Sequence, residues 1–250
     1  MRTVIGIDAA TQPKKIGLAR GTLDGHDLVI EEALLGSEAE SVLESIASWI
    51  SGPTLLAIDA PLGWPAPLGR GLYEHRAGQP LVAEANHLFR RETDRFVHAT
   101  LGKLPLEVGA DRIARTAHSA LGLLGNLRQR TGLAIPLAWS PALTETLAVE
   151  VYPAASLLSR GLSHKGYKGK EESAVAARRG LVEALSSELD LRVDPERLVD
   201  SDDRLDAVVC VLAGVDFLHE KCVEPDSAQR EDAGVEGWIW FTRPASANER

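Results

Sequence analysis

Two short apolar runs, Thr3-Val-Ile-Gly-Ile-Asp-Ala-Ala10 and Leu55-Leu-Ala-Ile-Asp-Ala-Pro-Leu-Gly63, each end on an aspartate. An apolar run of about five residues between turn signals predicts a strand covered on both faces, as in the centre of a parallel sheet. A carboxylate at the exit of such a strand serves no packing purpose. Ligand chemistry in open α/β sheets gathers beyond the carboxyl ends of the strands, and neighbouring parallel strands would hold Asp8 and Asp59 about 5 Å apart. One aspartate there reads as a turn cap bonding the backbone two residues on. Two of them point to a shared divalent metal.

The elements between these runs follow from turn chemistry and periodicity. Thr11 to Lys15 reads as a turn and Ile16 to Arg20 as a strand returning along the first. Asp24-Gly25 centres the next turn, and Leu28 to Leu34 makes a third strand. Ser37 with Glu40 has capping-box spacing, and Val42, Leu43, Ile46, Trp49 and Ile50 recur at helical intervals up to Gly52-Pro53. That helix is a crossover, so the Asp59 strand is expected parallel to the first strand and beside it. Residues 64–141 change in texture, from the rigid Trp64-Pro-Ala-Pro67 to helical segments rich in Arg, Gly and Leu, and read as a helical insertion. Leu147 to Pro153 is a fifth strand carrying Glu150, and Glu236 to Phe241 is an additional strand near the end. The expectation is a single domain over residues 1–244, with residues 245–250 as a flexible tail.

Ser201-Asp-Asp-Arg-Leu-Asp206 leads into Ala207 to Val215, nine residues without a charge. A helix apolar all round is a buried helix, here expected to lie across the sheet. Asp203 and Asp206, three apart, share one face of its first turn. Ser201 as N-cap and the helix dipole account for Asp202 and Asp203, whereas Asp206 abuts the buried stretch and has no such explanation.

Composition narrows the rest. The formal net charge of −9 opposes a surface that holds long nucleic acid all over, so any polyanion is met locally. The segment 160–179 has six basic residues, Lys165, Lys168 and Lys170 among them, against Glu171 and Glu172, and is the candidate phosphate-facing patch. Lys14 and Lys15 near the first aspartate, and Arg90, Arg91 and Arg95 around Thr93-Asp94 in the insertion, are further candidate substrate contacts; an amphipathic helix with paired charges explains the latter group equally well. Cys210 and Cys222 have neither CxxC spacing nor a histidine cluster, which argues against zinc and disulfides. With no signal-peptide pattern and no membrane-length apolar run, the expected setting is the cytoplasm, with no membrane partner.

Three antiparallel strands, a crossover helix, two further strands and a late helix resemble the ribonuclease-H-like fold: an α/β architecture with a mixed five-stranded sheet, antiparallel then parallel, flanked by helices. In that superfamily carboxylates from the first strand, the fourth strand and the last helix hold two divalent metals, and Asp8, Asp59 and the Asp203/Asp206 pair fall on those places. The opening of the last helix is similar to that of the Holliday-junction resolvases. Gly6-Ile-Asp-Ala-Ala10, Ala57-Ile-Asp-Ala-Pro-Leu-Gly63, Glu150-Val-Tyr-Pro-Ala154, Asp203-Arg-Leu-Asp-Ala207 and Glu236-Gly-Trp-Ile-Trp240 resemble, in order along the chain, domain of unknown function family 429, described as predicted nucleases of ribonuclease H fold.

The resemblance implies a metal-dependent phosphodiester hydrolase, a nuclease acting on nucleic acid or a nucleotide. Such hydrolysis builds negative charge on the attacking and leaving oxygens, which two Mg²⁺ or Mn²⁺ ions about 4 Å apart stabilise. An all-carboxylate set, Asp8, Asp59, Asp203 and Asp206 with Glu150 as a fifth candidate, suits those hard cations better than zinc. Gly6 to Lys15 also resembles the first phosphate loop of actin-like ATPases and sugar kinases, although this sequence has no second such hairpin and no glycine-rich adenosine motif. A fold relative that binds a nucleotide or partner without catalysis is a third reading.

Overall fold

The structure, a computed structural model, describes residues 1–244; the expected tail at 245–250 lies outside the described residues. The chain opens with β1 (Arg2–Asp8), a 3-10 turn at Pro13–Lys15, β2 (Gly17–Asp24) and β3 (Asp27–Leu35). Gly25, at a φ of 61° and with open space around it, makes the tight β2–β3 turn. Next come α1 (Val42–Trp49) and β4 (Thr54–Asp59). Ser41, rather than Ser37, caps α1 by accepting the Glu44 N–H at 3.4 Å. The four residues before it stay outside the helix because Glu38 is engaged elsewhere, with the Leu35 N–H and the guanidinium groups of Arg197 and Arg204.

Between β4 and residue 141 the chain forms four helices: α2 (Ala66–Tyr73), α3 (Ala85–Phe89), α4 (Glu92–Leu101) and α5 (Ile113–Thr131). They are followed by β5 (Leu147–Glu150), α6 (Pro153–Ser159), α7 (Glu172–Leu185), β6 (Asp190–Leu191), α8 (Pro195–Val199), α9 (Asp202–Leu218) and α10 (Arg230–Glu236). The sheet has six strands in the order β5-β4-β1-β2-β3-β6, one more than expected. The extra member, β6, joins the β3 edge through two residues only. Glu236 to Phe241 does not form a regular strand. It touches the opposite edge, β5, by a single bridge between Glu150 and Ile239, because Trp238, Ile239, Trp240 and Phe241 are all pulled into the interior.

β1 pairs antiparallel with β2 and parallel with β4, in a register that sets Asp8 opposite both Gly17 and Asp59. Side chains alternate across a strand. Ile5, Ile7, Leu56 and Ile58 therefore face α1 and α5, while Val4, Leu55 and Ala57 face the opposite layer built on α9. The same parity turns Gly6, Asp8 and Asp59 toward α9.

From Arg204 to Leu218 every residue of α9 is buried, as an uncharged run predicts. The sheet side of its contact is made of glycine. A Cβ on Gly6 would stand 2.0 Å from the Ala207 carbonyl oxygen, and one on Gly17 would stand 2.0 Å from that of Asp203. Gly214 returns the device from the helix side, where a Cβ would press on Val4 and Ala57. Backbone meets backbone, and this lowers the first turn of α9 onto the ends of β1 and β2.

Candidate active site

Four of the predicted acids meet at that rim. Asp8 leaves β1, Asp59 leaves β4 one strand away, and α9 brings Asp206 and Asp203 over them. The Asp8 carboxyl is held well above the usual carboxylate range, first by burial and then by the charges of Asp206 and Asp59, with Asp203 adding to them. Burial also pushes Asp59 up, to about 7; Lys168 works against this, and Asp206 and Glu150 work with it. Asp206, wholly buried, is raised by the loss of water, although Lys168 and Tyr167 hold it down. Asp203, half-buried, is raised by burial and by Asp202, and Lys15 opposes the shift from the 3-10 turn.

The counter-charge inside this group is Lys168. Its Nζ lies 2.7 Å from Asp206 Oδ2, an ion contact off hydrogen-bond geometry, while the Tyr167 hydroxyl donates to Asp206 Oδ1 at 2.8 Å. Burial disfavours the ammonium, but the nearby carboxylates, Asp206 foremost, raise its pKa above the ordinary lysine value. The Tyr167-Lys168 pair sits between Gly166 (φ 77°) and Gly169 (φ 109°), so the chain can turn sharply on either side. Buried Arg178 clamps that loop by donating to the carbonyls of Tyr167 (2.6 Å) and Gly169 (2.8 Å) and to that of Val199.

Among the described residues no donor hydrogen-bonds the side chains of Asp8 or Asp59, and no three His, Cys, Asp or Glu side chains stand as a ready-made metal cage. The donor chemistry nevertheless fits a hard divalent cation: oxygen ligands only, two of them half-buried without a protein partner, facing a third.

The remaining predicted residues are placed elsewhere. Glu150 is no free ligand, since both its oxygens bind the Arg91 guanidinium at 2.7 Å and Oε2 also accepts the Leu62 N–H. Arg91 in turn is 1% exposed and braced on Asp94, so it anchors the insertion to β5 and does not present itself to a substrate. Thr93 and Asp94, read as a substrate-facing turn, are buried in the start of α4. Arg90 pairs with Glu107 at 2.5 Å and Arg95 with Glu92 at 2.6 Å. In the basic segment, Arg160 is paired with Asp216 and Glu188 and Arg179 with Glu196, leaving Lys165, Lys168 and Lys170 as its exposed cations. Lys14 and Lys15 are exposed on the 3-10 turn.

Sequence reasoning missed Tyr167 as the partner of Asp206; the signal that could have found it is the pair of glycines, Gly166 and Gly169, on either side of Tyr167-Lys168. His164 lines a cavity of about 390 Å³ that opens beside Asp59 and Lys168. Among the described residues no helix is long and apolar enough to cross a membrane.

The model of the family described as "Protein of unknown function (DUF429)" matches residues 6–230. Neither the curated proteins nor the solved structures gave a match.

Proposed function

We propose that this chain, which belongs to the DUF429 family of proteins of unknown function, is a divalent-metal-dependent phosphodiester hydrolase of ribonuclease-H-like fold. The observation that carries this reading is the pair of adjacent carboxylates, Asp8 and Asp59, with no hydrogen-bond donor among the described residues and facing Asp206 at the rim of the sheet. Such packing is unfavourable for the protein alone, because burial and repulsion both oppose ionisation. A function that supplies positive charge gives it a purpose.

Asp8 and Asp59, with Asp206 or Asp203, would hold two Mg²⁺ or Mn²⁺ ions. When bound, these ions would supply Lewis acidity to the phosphoryl group and acidify a water for attack. Lys168, beside the cluster, offsets its charge and would meet a phosphate oxygen; Tyr167 orients Asp206 through its hydroxyl. Arg178 keeps that loop seated, so that the lysine stands over the carboxylates.

The test is hydrolysis of bis(4-nitrophenyl) phosphate and of short single- and double-stranded oligonucleotides with Mn²⁺ or Mg²⁺. The chain is expected to cleave at least one of them, and Asp8→Asn to lose about 100-fold or more of that activity while melting cooperatively. Cleavage by Asp8→Asn at the wild-type rate would overturn the proposal.

A further inference from the structure

The cavity beside Asp59 has a chemistry the carboxylates do not need. Its volume of about 390 Å³ lies in the range of small-ligand sites. Its walls come from the insertion and from the segments after β4 and β5, and are largely apolar: Pro61, Pro105, Leu106, Ile113, Pro153 and Ile239. Tyr152 adds an aromatic ring close enough to Asp59 that, after burial, its charge helps push the phenol up to about 12. Two cations, Lys103 and Lys168, border the same space with His164. Lys103 and Lys165 lie near enough to His164 to lower its pKa, after burial itself. The acidic groups Asp94 and Glu150 on that wall are both paired with Arg91, which offsets one of their two charges.

We infer that this cavity is a specificity pocket for a single nucleotide unit: the base lies among the prolines, Leu106 and Tyr152, and the phosphate points past Lys103 and Lys168 toward Asp59. The occupant must combine an apolar, flat body with an anionic end, because the cavity pairs apolar walls and the Tyr152 ring with the cations Lys103 and Lys168. Enzymes that act on one base or nucleotide take it into such a pocket by stacking it on aromatic and apolar side chains. A long duplex is disfavoured by the space and by the net charge of −9, which repels a polyanion beyond the immediate contact. The unit is thus a free mononucleotide or the last nucleotide of a strand that enters end-on. This inference rests on the phosphodiesterase reading for the role of the carboxylates, but not for the binding.

The experiment is equilibrium binding of the four deoxynucleoside 5′-monophosphates and of a single-stranded and a blunt duplex 12-mer. The purified full chain is used with Ca²⁺ present, in wild type, Leu106→Trp and Lys103→Glu. Mn²⁺ binding is followed in the same variants. Leu106 is half exposed, so tryptophan fills the cavity without entering the core. At least one mononucleotide is expected to bind, with affinity lowered about tenfold or more in both variants while Mn²⁺ affinity is kept. Weak mononucleotide binding with tight single-strand binding, lost in the same variants, assigns the pocket to strand ends. Binding of the blunt duplex that is indifferent to both substitutions, or no binding of any of these probes, overturns the inference. Nucleotide binding without hydrolysis of any phosphodiester sinks the proposed activity and leaves the pocket standing.

Discussion

Gly17 is the cross-strand partner of Asp8, and a methyl group placed there would come within 2.0 Å of the Asp203 carbonyl oxygen. Ordinary contact needs about 3.4 Å, so Gly17→Ala obliges the first turn of α9 to lift by about 1.4 Å. The helix cannot follow as a body, since the Gly6 and Gly214 contacts pin its next turns on β1 and β4. Overpacking of this kind costs about 1–3 kcal/mol, which for a chain of this size lowers Tm by about 3–10 °C. The displaced turn carries Asp203 and, one turn on, Asp206, and a 1 Å misplacement of functional groups costs about 100-fold in rate. Calorimetry and Mn²⁺ titration of Gly17→Ala should show both losses together. The control is Gly180→Ala on the exposed side of α7, where an added Cβ meets nothing within 4 Å. Alanine there should stabilise by about 0.5–1 kcal/mol and leave Mn²⁺ affinity alone. Wild-type melting and wild-type Mn²⁺ affinity in Gly17→Ala would refute the argument that glycine contacts set the carboxylate geometry.

The raised carboxylates fix an unusual pH dependence. Asp59 at about 7 binds a proton in the folded chain that the unfolded chain, with an aspartate pKa near 3.9, has released. Without divalent metal, this contribution to stability is fully present below about pH 4 and is lost as pH rises through about 7, so between about pH 5 and 8 Tm should rise on acidification. Asp8→Asn or Asp59→Asn should flatten that slope and raise Tm at pH 8 by a few degrees; a slope of the opposite sign in the wild type contradicts the electrostatics. Mn²⁺ should raise the wild-type Tm at pH 8 and leave that of Asp8→Asn nearly unchanged, as differential scanning fluorimetry would show. Arg91→Met should leave Glu150 and Asp94 as buried charges without a partner, costing about 3–5 kcal/mol and about 10 °C in Tm. An unchanged melt in that variant would mean the pairing does not hold the insertion to β5.

What the sequence disclosed, and what it hid, follows from the range of each interaction. β1, β4 and α9 announce themselves because complete burial leaves uninterrupted apolar runs, and Asp8, Asp59 and Asp206 stand out as charges at the ends of such runs. Glu150 sits in an equally apolar strand, yet its partner Arg91 is 59 positions away, and nothing local separates a ligand from half of an ion pair. The basic stretch 160–179 misleads for the same reason, as Asp216, Glu188, Glu196 and backbone carbonyls occupy its arginines. Ser37 and Ser41 both have a glutamate three residues on, and the choice between them falls to Glu38, engaged by Arg197 and Arg204 far along the chain. β6, with two residues, is too short for any periodicity to register.

The central claim is that acids from β1, β4 and α9 form one cation site, and a crystal of the protein soaked in Mn²⁺ tests it most directly. The anomalous density is expected at the rim of the sheet, within about 2.3 Å of oxygens from Asp8 and Asp59 and from Asp206 or Asp203, with Lys168 turned off Asp206. Anomalous density that avoids all of these carboxylates at saturating Mn²⁺, with Lys168 still on Asp206, would contradict it.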